Sequence, residues 1–410
     1  MPALPVQTSL SAEIIELSDD RKACEDSRLT MGVALRNKYV RLFSQLIQRV
    51  FSFPLYCLGV LIPKSKNIWV FGHSFGYKDN PKYLYEYQLK DPAIRAVWIS
   101  KDKQPEGIQG EWYYYLSIKG LYLQYRAGVV CIATGGADIA RFTTARTFIV
   151  QLWHGIPVKK LLLDSPEMSP FPAKFTRLNR LFYRQLKRHL QKYDLLIAVN
   201  KHNQECLSQA FGLSKDKVVI SGMPRHDMIL HSVLSKISQR YRILYAPTWR
   251  PSIEEAEGCV RNVLAPACIQ YFQQNAIAVD VSIHPLNAEL IPLIQSIDGV
   301  NIYKGSDINE DLSAYDLLIT DFSSIALDFA ALQRPVIFMC QDLAKYAAER
   351  GIYEYFLDII QSEHAENQDA LMAKISKALS SDDSVAPVLY DVKADGHSRE
   401  RIVEEIKRKV

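Results

Sequence analysis

The chain has 410 residues, 48% hydrophobic and 23% charged, a composition that excludes collagen, a coiled-coil rod and a wholly disordered chain. At about 100–200 residues per domain, this length predicts two or three domains. The 49 Lys and Arg against 45 Asp and Glu leave a net charge of +4, too mild to argue for nucleic acid as a partner.

Residues 1–30 are polar, and the opening MPALPVQTSLSAEIIELSDD has neither a basic start nor an apolar core, so it does not read as a secretory signal. Met31 is a second candidate start. Residues 36–50 interleave Arg36, Lys38, Arg41 and Arg49 with apolar side chains, and the apolar run FSFPLYCLGVLI follows at 51–62. As a helix that run spans about 18 Å against roughly 30 Å of hydrocarbon, and Pro54 interrupts it. The extension, residues 1–66, therefore either lies flat on an anionic membrane or packs as an ordinary helix. Seven cysteines occur singly, at 24, 57, 131, 206, 259, 268 and 340, without a CxxC pair. That spacing fits neither a disulfide framework nor a zinc site, and it points to a reduced, cytosolic compartment.

From residue 67 onward, short β-branched runs alternate with helical stretches. The first set predicts strands at Ile68–Phe71, Ala96–Ile99, Val129–Ala133, Phe148–Leu152, Leu195–Val199 and Val218–Ile220. The second predicts Ile243–Tyr245, Ala278–Ile283, Asn301–Tyr303, Leu317–Thr320 and Val336–Met339. Runs of about five residues without alternation are those of parallel strands buried on both faces. Helices are expected over Asn203–Phe211 and Ser324–Leu332, among others, and a break falls near 226–241. The reading is an α/β protein with two Rossmann-like lobes facing a central cleft, residues 67–230 and 231–395, closed by a helix over 396–410.

In such sheets, ligands bind at the carboxyl ends of strands, and the chemistry-bearing residues fall there. His154, in QLWHGIP, ends a strand before turning at Gly155 and Pro157, where an imidazole could take a proton from a hydroxyl. Arg177–Tyr193 carries Arg177, Arg180, Arg184, Lys187 and Arg188 with no acidic residue, and its leucines recur at helical spacing. That pattern predicts a basic amphipathic helix for an anionic membrane or a polyanionic acceptor. Arg225 in GMPRHD, and Thr248 and Arg250 in YAPTWR, follow short strands, and an arginine fork suits a diphosphate. His284, in the dipeptide HP after another strand, could donate to a phosphoryl oxygen. Asp321 precedes Ser323 and Ser324, whose hydroxyls and backbone N–H groups sit at a predicted helix start, a place for phosphate. Each of these residues also has a plain structural reading: a turn histidine, a cap, a solvated charge. The absence of GxxxxGK, GxGxxG and HExxH removes support for P-loop kinases and zincins.

Taken together, WHGIP, GMPRHD, YAPTWR, HP, DINEDL at 307–312, and LITDFSSIALDFA with RPVIF resemble the CDP-glycerol glycerophosphotransferases, the teichoic-acid primases, polymerases and capsule-polymer relatives. SFGYKDNPKYLYEY, residues 74–87, resembles that family's N-lobe signature. The likeness runs over roughly residues 67–360 with the motifs in order; Ile156 stands where the family usually has Thr, and Phe322 where Tyr is common.

The resemblance implies a GT-B fold and a peripheral enzyme at the cytoplasmic face of the membrane. It implies His154 as general base and His284 on the donor phosphates. Ser323 and Ser324 would hold the diphosphate, Arg225 and Arg250 would meet donor phosphate or acceptor charge, and Asp321, Gly155 and Thr248 would support the site. A CDP-polyol is the expected donor, and a lipid-linked or polyol-phosphate polymer the acceptor. No cofactor is required, Mg²⁺ is left open, and oligomeric state is undetermined. Two alternatives stand beside this reading: a nucleotide-sugar glycosyltransferase on the same fold, and a non-catalytic scaffold for membranes or polyanions.

Overall fold

The computed structural model describes residues 52–165, 168–169, 171–231, 241–305, 307–380 and 391–410. Met31, the basic run at 36–49 and most of the break at 226–241 lie outside them. The chain divides into two compact units, Met1–Ile62 and Pro63–Val410. In the first, residues 52–61 form a helix with Phe53, Leu55, Leu58, Val60 and Leu61 exposed. Among the described residues, no helix is long and apolar enough to cross a membrane.

The second unit is α/β with two parallel sheets. One has seven strands in the order β3-β2-β1-β4-β5-β6-β7. Its strands are β1 (Ser65–Gly72), β2 (Arg95–Ser100), β3 (Trp112–Tyr114), β4 (Ala127–Ile132), β5 (Phe148–Gln151), β6 (Leu195–Ala198) and β7 (Val218–Ile220). The other has five, in the order β10-β9-β8-β11-β12: β8 (Tyr241–Ala246), β9 (Ile277–Val281), β10 (Val300–Ile302), β11 (Leu317–Thr320) and β12 (Val336–Phe338). Every pairing between these strands is parallel. Strands such as β4 and β11 are buried along their whole length, which is why they read as unbroken apolar runs. The expected strands all occur, with ends shifted by at most three residues. β3 is the addition: a short, half-buried edge strand with too few residues to show a period.

Each sheet reverses its strand order once, between β1 and β4 and between β8 and β11. Such a reversal leaves a crevice beyond the carboxyl ends of the two strands, because the connections leave on opposite faces. At the first lie His73-Ser74 and Ala133-Thr134; at the second lie Pro247–Arg250 and Asp321–Ser324. One apolar cluster holds residues of both sheets, including Trp69, Val150 and Ile197 of the first and Leu244, Leu318 and Phe338 of the second.

The 226–241 region differs from expectation. Arg225 does not lie in an open turn: Pro224–His231 is a helix, with Pro at its first position, where the missing N–H costs nothing. The last helix, Ser398–Lys409, returns to it. Buried Asp227 accepts from the backbone N–H of Ser398 (3.0 Å) and Arg399 (2.9 Å), satisfying two donors that a helix start leaves open. Gly222 makes room for this return. Its φ is +81°, and a Cβ there would collide with the Lys393 carbonyl oxygen and the Ser398 hydroxyl. Gly222→Ala should therefore cost at least about 2 kcal/mol, from left-handed strain plus overpacking, read as a lower urea midpoint with an unchanged slope.

Candidate active site

The site grows from the two crevices. At the first, the carboxylate of Asp138, fully buried, ties the ends of β1 and β4 together. It accepts from the N–H (2.9 Å) and hydroxyl (2.6 Å) of Ser74 and from the N–H groups of Ala133 (2.9 Å) and Thr134 (2.8 Å). His154 enters from the loop after β5. Trp153 takes a left-handed conformation, φ +53°, which turns the chain and leaves the His154 ring exposed while Trp153 is buried. The rings lie against each other, centroids 4.2 Å apart. Asn80, fully buried, donates to the carbonyls of Leu152 (3.2 Å) and Trp153 (2.9 Å) and so clamps this loop.

The imidazole has a defined tautomer. His154 Nδ1 lies 3.2 Å from the carbonyl oxygen of Ala133, which can only accept, so Nδ1 carries the hydrogen and Nε2 keeps its lone pair. His73, buried beside it at the end of β1, was not picked out from the sequence. Burial pushes its pKa down, and the neighbouring Asp79 and Asp138 only partly offset this.

At the second crevice the tautomer is reversed. His284 follows β9 and caps the short helical turn after it. Its Nδ1 accepts from the Leu286 N–H at 3.2 Å, which leaves the hydrogen on Nε2 as an exposed donor. Partial burial and the Lys159 charge push its pKa down, which keeps the ring neutral. Asp321 binds the loop after β8: its Oδ1 accepts from the N–H of Thr248 (2.8 Å) and Phe322 (2.7 Å) and from the Thr248 hydroxyl, and its Oδ2 from Arg250 (2.9 Å). Asp321 and Thr248 are thus both supports of the loop. Ser323 and Ser324 are half exposed at the helix Ile325–Ala330. The Ser323 hydroxyl accepts from the Ile325 N–H at 3.4 Å, and that of Ser324 makes no hydrogen bond among the described residues.

The two crevices meet at Gly155. A Cβ on this residue would lie 2.9 Å from the Ser324 hydroxyl, so a larger residue would make that hydroxyl move. Behind this contact sits a buried ionic cluster. Arg225, 2% exposed, donates to both oxygens of Asp328 (2.7 and 2.8 Å), to Asp79 (2.9 Å) and to the His154 carbonyl (3.0 Å). His226 Nε2 also meets Asp328, at 2.8 Å. Burial works against the Arg225 charge, but Asp328 and Asp79 outweigh it and hold its pKa above the ordinary value.

Arg225 and Arg250, expected at donor phosphate or acceptor charge, are thus both buried and paired with carboxylates. Arg250, also 2% exposed, is taken up by Asp321, by Asp342 (3.0 and 3.1 Å) and by the Thr248 carbonyl (3.1 Å). Both guanidiniums brace loops. The basic residues expected at 177–188 are elsewhere, on the helix Thr176–Leu190, where Arg177, Arg180, Arg184, Lys187 and Arg188 are all exposed and only Leu190 is buried. Asp328 carried a legible signal: an acid amid Ile-Ala-Leu-Asp-Phe-Ala must be buried, and a buried acid needs a partner. Asp328→Ala would leave His226 without its carboxylate and Arg225 with Asp79 alone, and should cost about 3–5 kcal/mol in urea unfolding.

The chain and its architecture have known relatives. The chain is 30% identical over 351 residues to the teichoic acid glycerol-phosphate transferase of Staphylococcus aureus (strain NCTC 8325 / PS 47), covering 80% of this chain and 88% of that one. It is 28% identical over 400 residues to the teichoic acid poly(glycerol phosphate) polymerase of Bacillus subtilis (strain 168), of which it spans about half, 52%. The fold is that of the wall teichoic acid polymerase TagF (TM-score 0.70, 22% identity, 91% of this chain and 97% of that one). It also resembles the UDP-bound S. aureus MnaA (TM-score 0.53, 13% identity, 84% and 97%). The sequence profile of the CDP-glycerol:poly(glycerophosphate) glycerophosphotransferases matches residues 55–408, and the chain belongs to that family.

Proposed function

We propose that the chain transfers glycerol phosphate or ribitol phosphate from a CDP-polyol to a hydroxyl of a lipid-linked or growing surface polymer, releasing CMP. Family membership makes it an enzyme of polyol-phosphate transfer. The observation that carries the mechanism is the contact of the His154 loop with Ser324 at Gly155. It sets Gly155, the residue after His154, against Ser324.

In this reading the two sheets are the lobes of a GT-B enzyme, residues 67–230 on the acceptor side and 231–395 on the donor side. The donor diphosphate lies against Ser323 and Ser324. The acceptor oxygen attacks the β-phosphorus and loses its proton to His154 Nε2; the phosphorus–oxygen bond to CMP breaks, and CMP takes the electron pair. His284 Nε2–H donates to a phosphate oxygen. The opposed tautomers support this division of labour: a lone pair for the base, a hydrogen for the donor. The protein positions groups and neutralises charge, which is most of what phosphoryl transfer demands. Arg225, Arg250, Asp321, Thr248 and Gly155 position the loops that carry these groups.

The helix Thr176–Leu190 presents five cations with Leu178 and Leu181 about half exposed, 44% and 49%. Cationic and apolar side chains on one exposed helix suit an anionic membrane surface, so we assign the enzyme to the cytoplasmic membrane face. The exposed apolar helix at 52–61 is independently suited to the same surface.

The test is CMP release from CDP-glycerol and CDP-ribitol in parallel, with membrane extract as acceptor. One donor should turn over, and His154→Ala should lower the rate about 10²–10⁴-fold. Turnover of UDP-sugars with neither CDP-polyol active would overturn the reading in favour of a glycosyltransferase.

A further inference from the structure

Arg225 and Arg250 are both held by carboxylates, so a cation without a carboxylate partner is the stronger candidate to meet a diphosphate. The segment after His154 supplies one. Residues Val158–Lys160 run antiparallel to Gly351–Tyr353, with Lys160 N–H on the Gly351 carbonyl (3.0 Å) and Tyr353 N–H on the Val158 carbonyl (3.0 Å). In an extended segment neighbouring side chains point to opposite sides. Lys160 packs over Gly351 on one side. Lys159 points to the other, and its ammonium lies 5.2 Å from the centroid of the Tyr346 ring. That ring stacks on Phe322 at 4.1 Å, next to Ser323 and Ser324.

Lys159 is half buried and, among the described residues, has no hydrogen bond and no ion pair. The groups facing it are Asp321, Arg250, Arg350, Tyr346 and His284. Asp321, the carboxylate that faces Lys159, is already taken by Arg250, as is Asp342. An ammonium kept out of water with no counter-ion destabilises the protein unless an anion joins it. Burial, reinforced by Arg250 and Arg350 and partly offset by Asp321, pushes the Lys159 pKa down to about 8.

We propose that Lys159 binds the diphosphate of the donor and stays with the nucleoside monophosphate that leaves. This rests on the reading of the chain as a CDP-polyol transferase. When the acceptor oxygen bonds to the β-phosphorus and its proton passes to His154, the bond from that phosphorus to the bridging oxygen breaks. The bridging oxygen keeps the electron pair and becomes a terminal oxygen of CMP. Lys159 sets a positive charge on the side of the Ser323–Ser324 turn where that negative charge accumulates. Being on the same loop as His154, it couples the placement of the base to the placement of the leaving group.

The experiment is calorimetric titration of CMP into the full chain from pH 7 to 9.5, with wild type, Lys159→Arg and Lys159→Gln. CMP is a dianion throughout, since its second ionisation lies near 6. An anion binds the protonated lysine, so wild-type affinity should be highest below pH 8 and fall by up to about tenfold per pH unit above it. His284, with its pKa pushed down, and Tyr346, with its hydroxyl pushed up, stay uncharged across that window. Lys159→Arg should bind CMP with no such decline, because its guanidinium does not titrate. Lys159→Gln should bind roughly 10–100-fold more weakly at pH 7 and melt, without nucleotide, no lower than wild type. Equal CMP affinity and pH profile in wild type and Lys159→Gln would overturn the inference and leave the transferase reading standing. A wild type that binds UDP or GDP but not CMP would overturn both.

Discussion

The buried pair of Arg225 and Asp328 is the constraint on which the site depends. Arg225 sits on the helix after β7 and Asp328 on the helix after β11, so the pair joins the two sheets. Burying two charges is costly, and replacing such a pair with apolar side chains is often neutral or stabilising. Stability is therefore a poor reason for its presence. Geometry is a better one. The same guanidinium holds Asp79 and the His154 carbonyl, while the Arg225 N–H donates to Asn80 (3.2 Å), the residue that clamps the carbonyls before His154. One cation thereby fixes the loop that carries His154.

The opposed states of the two histidines follow from backbone groups rather than from neighbouring charges. A carbonyl at the end of β4 fixes one, and an N–H in the turn after β9 fixes the other. Both backbone groups lie past strand ends near the reversals in strand order. The fold thus supplies, without further side chains, a lone pair on one side of the Gly155–Ser324 contact and a donor beyond it. Asp138 and Asp321 play parallel parts, each drawing together the two loops that leave a reversal.

Much of this was legible in the sequence, for physical reasons. Strands buried on both faces announce themselves as apolar runs, so eleven of the twelve were found; Trp112–Tyr114 escaped because an edge strand of three half-buried residues has no such run. The positions of His154, His284, Ser323 and Ser324 could be read because each follows such a run. The state of Arg225 and Arg250 could not. An arginine after a strand looks the same whether it faces solvent or three carboxylate oxygens, and Asp79 and Asp328 are 146 and 103 residues away from Arg225. Lys159 was passed over for the same reason: its lack of a counter-ion is a property of the packed loops. The tautomers depend on single backbone atoms and leave no trace in residue type.

The most direct test of this account is the double variant Arg225→Met with Asp328→Asn, which removes both charges and keeps an acceptor for His226. Its kcat for CMP release, set against its affinity for CMP, separates a displaced base from a damaged nucleotide site. The account predicts a folded protein that binds CMP like wild type and turns over at least about tenfold more slowly, because the His154 loop is no longer held. A double variant with wild-type kcat would contradict it.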